Sequence, residues 1–135
     1  MKILSRRAHG LADYLIVVVL LSVPLSAGLT GRPRALSYSF AVLHLLITVS
    51  SYFPPGAIGV ISFRVHKIVE GVAGLFLIVS PWLLGFANQP AAVTVFVIIG
   101  AAILGMALFT DFDRRRQIVP PPPGERRRWY NRRSR

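Results

Sequence analysis

The sequence predicts an all-α integral membrane protein, a four-helix bundle built from two tandem two-span repeats. Three observations lead to this fold class. Of the 135 residues, 53% are hydrophobic and only 16% are charged, with a mean hydropathy of +0.57, whereas a soluble domain usually has about a quarter of its residues charged. The apolar residues fall into four long runs, and the sequence repeats internally.

Each apolar run is long enough to cross a bilayer as a helix. The runs are 11–29, 35–53, 68–87 and 91–110. At about 1.5 Å of rise per residue, such runs match the roughly 30 Å hydrocarbon core, and a helix satisfies its own backbone there. Short connections at 30–34 and 88–90 predict tight hairpins, and a longer connection is expected at 54–67.

The basic residues predict the orientation, because short cytoplasmic loops carry an excess of Lys and Arg. One side of the predicted membrane carries Lys2, Arg6, Arg7, Arg64, Lys67 and the basic C-terminal tail, and the other carries Arg32 and Arg34. We therefore expect a multi-pass protein of the bacterial cytoplasmic (inner) membrane with both termini in the cytoplasm. Trp82, near the outer end of the third run, is expected to be an interface anchor.

Sliding the sequence over itself by 57 positions reveals the repeat. Five pairs of residues align: His9 with His66, Asp13 with Glu70, Pro24 with Pro81, Gly28 with Gly85, and Pro33 with Pro90. The units cover about 9–53 and 66–110 within a membrane domain of residues 1–113. Because each unit has two spans, both point the same way, which predicts a pseudo-two-fold axis along the membrane normal.

The second unit carries a recognisable motif. It contains His66-x-x-x-Glu70, then Ser80-Pro81-Trp82, then Gly85. This arrangement resembles the SPW repeat family of small four-span bacterial membrane proteins, whose members typically carry two such units. The first unit, in which the Ser and Trp of the motif are missing, resembles a degenerate copy. The resemblance implies an architecture and no particular activity.

Five ionisable residues in or beside the spans are the candidates for a polar site: His9, Asp13, His66, Glu70 and His44. Residues four apart share a helix face, so His9 can meet Asp13 and His66 can meet Glu70. The repeat places both pairs at one depth, where they could converge, and His44 falls midway along the second run. Such groups stabilise structure at an interface, handle protons or ions, or ligate a divalent metal or haem iron.

Prolines and small residues predict local features of the helices. Pro24 and Pro81 are expected to kink their helices, with the nearby Ser22 and Ser80 taking up the freed carbonyls. Close helix contacts, within the bundle or with a partner, are expected at Gly71, Gly74, Ala101 and Gly105.

The C-terminal tail, residues 114–135, holds nine of the sixteen Lys and Arg residues and a run of four prolines. Beside a cytoplasmic membrane surface, such a segment is expected to contact anionic lipid headgroups. The contacts are assigned to Arg114, Arg115, Arg116, Arg126, Arg127, Arg128, Arg132 and Arg133. Nucleic acid is a weaker alternative, because the tail is tethered to the bilayer.

The chain contains no Cys, no phosphate-binding glycine loop and no nucleophile beside a base, so we expect no enzyme activity and assign no catalytic or metal residue. The prediction is a structural or accessory membrane protein that forms a homo-oligomer or packs on a larger complex. The alternatives are a small transporter or proton-handling protein using the paired residues, and a haem- or quinone-linked redox subunit. No cofactor is expected, with haem or a divalent metal as the alternatives.

Overall fold

The computed structural model describes residues 5–51 and 58–110, except for the side chain of Arg6. These residues form four helices: α1 (Arg6–Ser26), α2 (Gly31–Ser50), α3 (Phe63–Leu83) and α4 (Pro90–Phe109). The described residues contain no β-strand, and one isolated parallel bridge joins Ser51 to Ile61. The prediction of an all-helical protein with four helices is confirmed for the part of the chain that the structure describes. The tail and its predicted lipid contacts lie outside the described residues.

The first and third helices begin several residues before their apolar runs, because serines cap them there. Ser5 Oγ accepts the Ala8 N–H at 3.2 Å, and Ser62 Oγ accepts the Val65 N–H at 3.4 Å. A capping serine satisfies one of the amides that the first helical turn leaves open. The expected connection over 54–67 is therefore wrong in extent, since α3 already begins at Phe63.

Both hairpins end their first helix in the same way. Gly28 and Gly85 adopt positive φ angles of 62° and 68°, a conformation that a Cβ atom disfavours. The next amide then turns back to the helix, with Leu29 N–H donating to Pro24 O at 2.9 Å and Phe86 N–H donating to Pro81 O at 2.8 Å. Leu29 and Phe86 are buried, so each glycine turn inserts an apolar side chain into the core.

Pro81 leaves the Leu77 carbonyl in α3 without its helical donor. Ser80 Oγ donates to that carbonyl at 2.8 Å. Its hydroxyl is fully buried, so the serine of the Ser-Pro-Trp motif replaces the hydrogen bond that the following proline removes. The role predicted for Ser80 is confirmed.

Pro24 creates the same deficit in α1 at the Leu20 carbonyl, but a different residue fills it. Ser37 Oγ, on the neighbouring α2, donates to Leu20 O at 2.6 Å. Ser22 donates instead to Val19 O at 3.1 Å, so the role predicted for Ser22 is wrong. The first unit thus supplies the hydroxyl across the hairpin.

The helices pack most closely within each hairpin, α1 with α2 and α3 with α4. Helices α3 and α4 approach each other closely at two glycines. A Cβ on Gly74 would lie 2.8 Å from Gly100 O, and one on Gly100 would lie 2.6 Å from Gly74 O. The predicted contact at Gly74 is confirmed. At Gly71 and Gly105 a Cβ would meet nothing within 4 Å, so those two glycines make no close contact with the described part of the chain.

Buried positions recur between the hairpins with two different offsets. In α1 and α3 they recur at 57, as the sequence alignment predicts. In α2 and α4 they recur at 59: Pro33, Ser37, Phe40, Ala41, His44 and Thr48 correspond to Ala92, Phe96, Ile99, Gly100, Ile103 and Ala107. Pro33 and Pro90 therefore do not occupy equivalent positions, because Pro90 is the first residue of α4 and Pro33 the third of α2.

The core is apolar toward the hairpin turns and polar toward the opposite end. Phe86 and Phe96, with ring centroids 5.4 Å apart, pack with Leu20, Leu29 and Leu77 in the apolar half.

Two helical segments, Arg7–Ser26 and Pro90–Phe109, are long and apolar enough to cross a membrane by length and composition.

Two glycines of α4 test the contact between α3 and α4, because Gly100 lies in the contact and Gly105 does not. Gly100→Ala should destabilise the protein by about 1–3 kcal/mol, because its new methyl group meets backbone and the helices must separate. Gly105→Ala should be neutral or stabilise by up to about 1 kcal/mol, since alanine favours helix and the position is open. Unfolding of both variants in detergent, followed by circular dichroism, measures the difference, and equal stabilities would contradict this packing.

Candidate functional site

A cluster of buried ionisable side chains occupies the polar half of the bundle. Helix α1 contributes His9 and Asp13, α3 contributes His66 and Glu70, and α2 contributes His44. All five side chains are almost fully enclosed, with exposures between 0 and 3%. The structure therefore brings together the whole predicted polar site, although its residues come from three helices.

Two carboxylates lie among the imidazoles. His9 Nε2 lies 2.9 Å from Glu70 Oε2 and 3.6 Å from Asp13 Oδ2. His66 Nε2 lies 3.3 Å from Glu70 Oε1 and 3.4 Å from Asp13 Oδ2. Each histidine thus contacts the acid of its own helix and the acid of the other, which joins the two hairpins at this point.

Two hydroxyl groups fix the outer nitrogens of His9 and His66. His66 Nδ1 lies 2.7 Å from Ser51 Oγ, and His9 Nδ1 lies 2.8 Å from Thr110 Oγ1. Each hydroxyl already donates its proton to a helix carbonyl, Ser51 to Ile47 O and Thr110 to Met106 O, both at 2.6 Å. The hydroxyl oxygens must therefore accept from Nδ1–H, so the Nε2 atom of each ring faces the carboxylates.

Phe63 packs over the histidines from the start of α3. Its ring is stacked on His66, with centroids 6.2 Å apart and planes at 9°, and meets the edge of His9 at 5.5 Å. Phe63 is 7% exposed. Because it lies next to both rings, it shields this end of the cluster and limits their rotation.

His44 joins the cluster less closely than the other members. Its Nε2 lies 3.8 Å from Asp13 Oδ1 and 4.0 Å from Glu70 Oε1. The expectation that His44 lies midway along its span is wrong, since α2 runs Gly31–Ser50 and His44 is in its second half, level with the acids. A cavity of about 30 Å³ adjoins it.

The arrangement suits positive charge at its centre. Two carboxylates buried in a medium of low dielectric constant require compensating cations or protons close by. Two imidazoles can carry those protons, or the four groups together can hold a cation.

The predicted interface anchor lies apart from this cluster. Trp82, in the last turn of α3, is 61% exposed and borders an open groove of about 640 Å³ beside Arg32 and Gly85.

Ser51, Thr110 and Phe63 were not identified from the sequence as part of the site, since none of them stands out by residue type. Ser51 and Thr110 cap α2 and α4, and their spacing of 59, the offset of the buried positions in those helices, could have revealed them.

Fold and site define a small all-helical protein with a buried histidine–carboxylate centre. The family model described as SPW repeat domain matches residues 7–110, so the chain belongs to the SPW repeat family and the resemblance is confirmed. Family membership and the two apolar helices indicate a membrane protein. Searches of curated proteins and of solved structures each found no match.

Removing one acid from the cluster should destabilise the folded protein strongly. Asp13→Ala should lower the free energy of unfolding by about 3–5 kcal/mol, because a buried charged group loses its partner. Thr48→Val is the control, since Thr48 is equally buried and its hydroxyl has no hydrogen-bond partner among the described residues. Denaturation in detergent measures both, and a loss for Asp13→Ala no larger than the control's would show that the ion pairs contribute little.

Proposed function

We propose that the protein is a multi-pass protein of the bacterial cytoplasmic membrane, with all four helices crossing the bilayer, that self-associates or packs on a larger complex. The observation that carries the proposal is its inverted polarity. Large apolar side chains cover the outer surface of every helix, among them Leu15, Leu46, Val72 and Ile98 with exposures of 59–67%. The ionisable residues of the spans are buried. A water-soluble monomer rarely exposes so much apolar surface.

The charges of α2 support its insertion as well. Arg32 and Arg34 lie in its first turn, where Arg32 Nη1 donates to Leu84 O at 3.0 Å and Arg34 Nε donates to Leu29 O at 2.8 Å. Both guanidinium groups thus stay at the hairpin end, where a membrane surface would lie. The remainder of α2 carries no formal charge.

The proposed orientation places the cluster near the cytoplasmic face. Asp13 and Glu70 each lie seven residues after the first residue of their helix, which is about 10 Å along the axis. We infer that a pseudo-two-fold axis along the membrane normal relates the hairpins, supported by the recurrence of buried positions. Both termini are then cytoplasmic.

The interior favours an accessory role over transport through one copy. The cavity beside His44 holds about 30 Å³, room for about one water molecule. Backbone contact between Gly74 and Gly100 also closes the space between α3 and α4. Among the described residues, both features argue against a substrate pathway through one copy, so we expect any pathway to lie between copies or against a partner.

Single cysteines test the membrane placement, since the chain has none of its own. Asn88→Cys should react with a membrane-impermeant maleimide in intact cells, and Ser5→Cys only after the cells are opened. Val72→Cys and Leu43→Cys should stay unreactive in both conditions, because lipid would cover them although they are 67% and 51% exposed. Rapid labelling of Val72→Cys or Leu43→Cys would place its helix in water and contradict the four-span arrangement.

Cross-linking in native membranes tests the association. We expect species at multiples of 14.9 kDa, or one larger complex, because four short helices leave little room for function within one copy. Native mass spectrometry after release in mild detergent would give the stoichiometry. A chain that stays monomeric in membranes at its natural expression level would contradict the accessory role.

A further inference from the structure

We propose that His9, Asp13, His66 and Glu70 bind one divalent first-row transition metal ion, of the class of zinc, manganese or iron(II). One ligand atom from each of the four residues lies within 4.8 Å of all the others, and all four residues are buried. This inference goes beyond the membrane placement, which neither requires a metal nor supplies one.

Several separations between the ligand atoms are close to those of a coordination shell. Around a tetrahedral ion with bonds of about 2.1 Å, ligand atoms lie about 3.4 Å apart. His66 Nε2 lies 3.3 Å from Glu70 Oε1 and 3.4 Å from Asp13 Oδ2. His9 Nε2 lies 3.6 Å from the same Asp13 oxygen and 2.9 Å from the other Glu70 oxygen, Oε2. With one atom from each residue, all separations are within 4.8 Å, so side-chain movements of about 1 Å would bring the four atoms to the spacing of a four-coordinate site.

The acids provide a second, independent indication. Both oxygens of Asp13 and both of Glu70 lie in the buried centre without a well-directed hydrogen bond from any described residue. Buried carboxylate oxygens are normally hydrogen-bonded or bound to metal. A cation bound between Asp13 and Glu70 would satisfy at least one oxygen of each acid, which packing among the imidazoles leaves without a directed hydrogen bond.

The hydroxyl groups outside the cluster match the usual support of a metal-binding histidine. Such a histidine donates its other ring N–H to an outer acceptor, which fixes the tautomer and the ring orientation. Ser51 and Thr110 accept from Nδ1 of His66 and His9 in this manner. Both hydroxyls are held in turn by helix carbonyls, so Nε2 of each ring is directed inward before an ion arrives.

The donor set limits the kind of ion. Two carboxylates neutralise the +2 charge of the ion, and a charge buried inside a helix bundle must be neutralised in this way. Magnesium and calcium prefer shells made of oxygen, and copper(I) prefers sulfur, whereas paired imidazoles and carboxylates suit zinc, manganese and iron(II). His44, at 3.8 Å from the second oxygen of Asp13, lies in position to orient that carboxylate or to add a fifth ligand.

The test measures metal content and affinity of the full-length protein, purified in mild detergent through a tag that contains no histidine. We expect about one tightly held ion per chain by elemental analysis, removable with a chelator and restored by Zn²⁺ or Mn²⁺. The metal-free protein should take up Co²⁺ and give the visible absorption of a low-coordinate site. Glu70→Gln, which keeps size and removes charge, should weaken binding by roughly 100-fold or more, while Thr48→Val should bind as the wild type does.

A variant that leaves all four proposed metal ligands in place keeps the test decisive if Glu70→Gln does not fold. Ser51→Ala should weaken binding by about 10-fold, since outer partners typically contribute 10- to 100-fold. Wild-type protein that binds none of Zn²⁺, Mn²⁺, Fe²⁺ or Co²⁺ at one ion per chain would overturn the proposal. So would binding that is unchanged in Glu70→Gln and Ser51→Ala, which would place the ion elsewhere.

Discussion

The burial of Asp13 and Glu70 is the constraint on which the polar half of the bundle depends. Two carboxylates cannot leave water without positive charge close by, and each lies between the imidazoles of both hairpins. The cluster therefore does more than stabilise one helix. It joins α1 to α3, whose backbones approach each other less closely than the helices within each hairpin do, and it fixes which ends of the helices meet.

The apolar half is organised by a different requirement, the repair of a helix that contains proline. In both units a proline lies just before the helix end, a glycine with positive φ ends the helix, and a large apolar residue follows into the core. The proline removes one backbone hydrogen bond, and a buried hydroxyl replaces it in each unit. The polar cluster and the proline-containing helix ends thus lie at opposite ends of the bundle, and the contact between Gly74 and Gly100 lies between them.

Much of this could be predicted from the sequence, because the signals are local. Four apolar runs gave four helices, and the offset of 57 aligned His9 with His66 and Asp13 with Glu70. His44 was predicted as a candidate for the polar site, but its place beside the two acids could not be predicted, since that place depends on α2 starting at Gly31 and on an offset of 59 in the second helices. The roles of Ser51, Thr110 and Ser37 were also missed. Each hydroxyl has a hydrogen-bond partner on another helix, so its role depends on how the helices pack.

Ser37 and Ser80 do the same work from different positions in their units, which has a consequence for how such repeats diverge. The hydroxyl that serves the freed carbonyl comes from the residue before the proline in one unit and from the facing helix in the other. The serine of the motif is therefore dispensable wherever the facing helix provides a hydroxyl that donates to the same carbonyl. A unit that has lost the serine and tryptophan of the motif but keeps its proline can therefore keep the same turn, and a search for the motif alone will undercount such units.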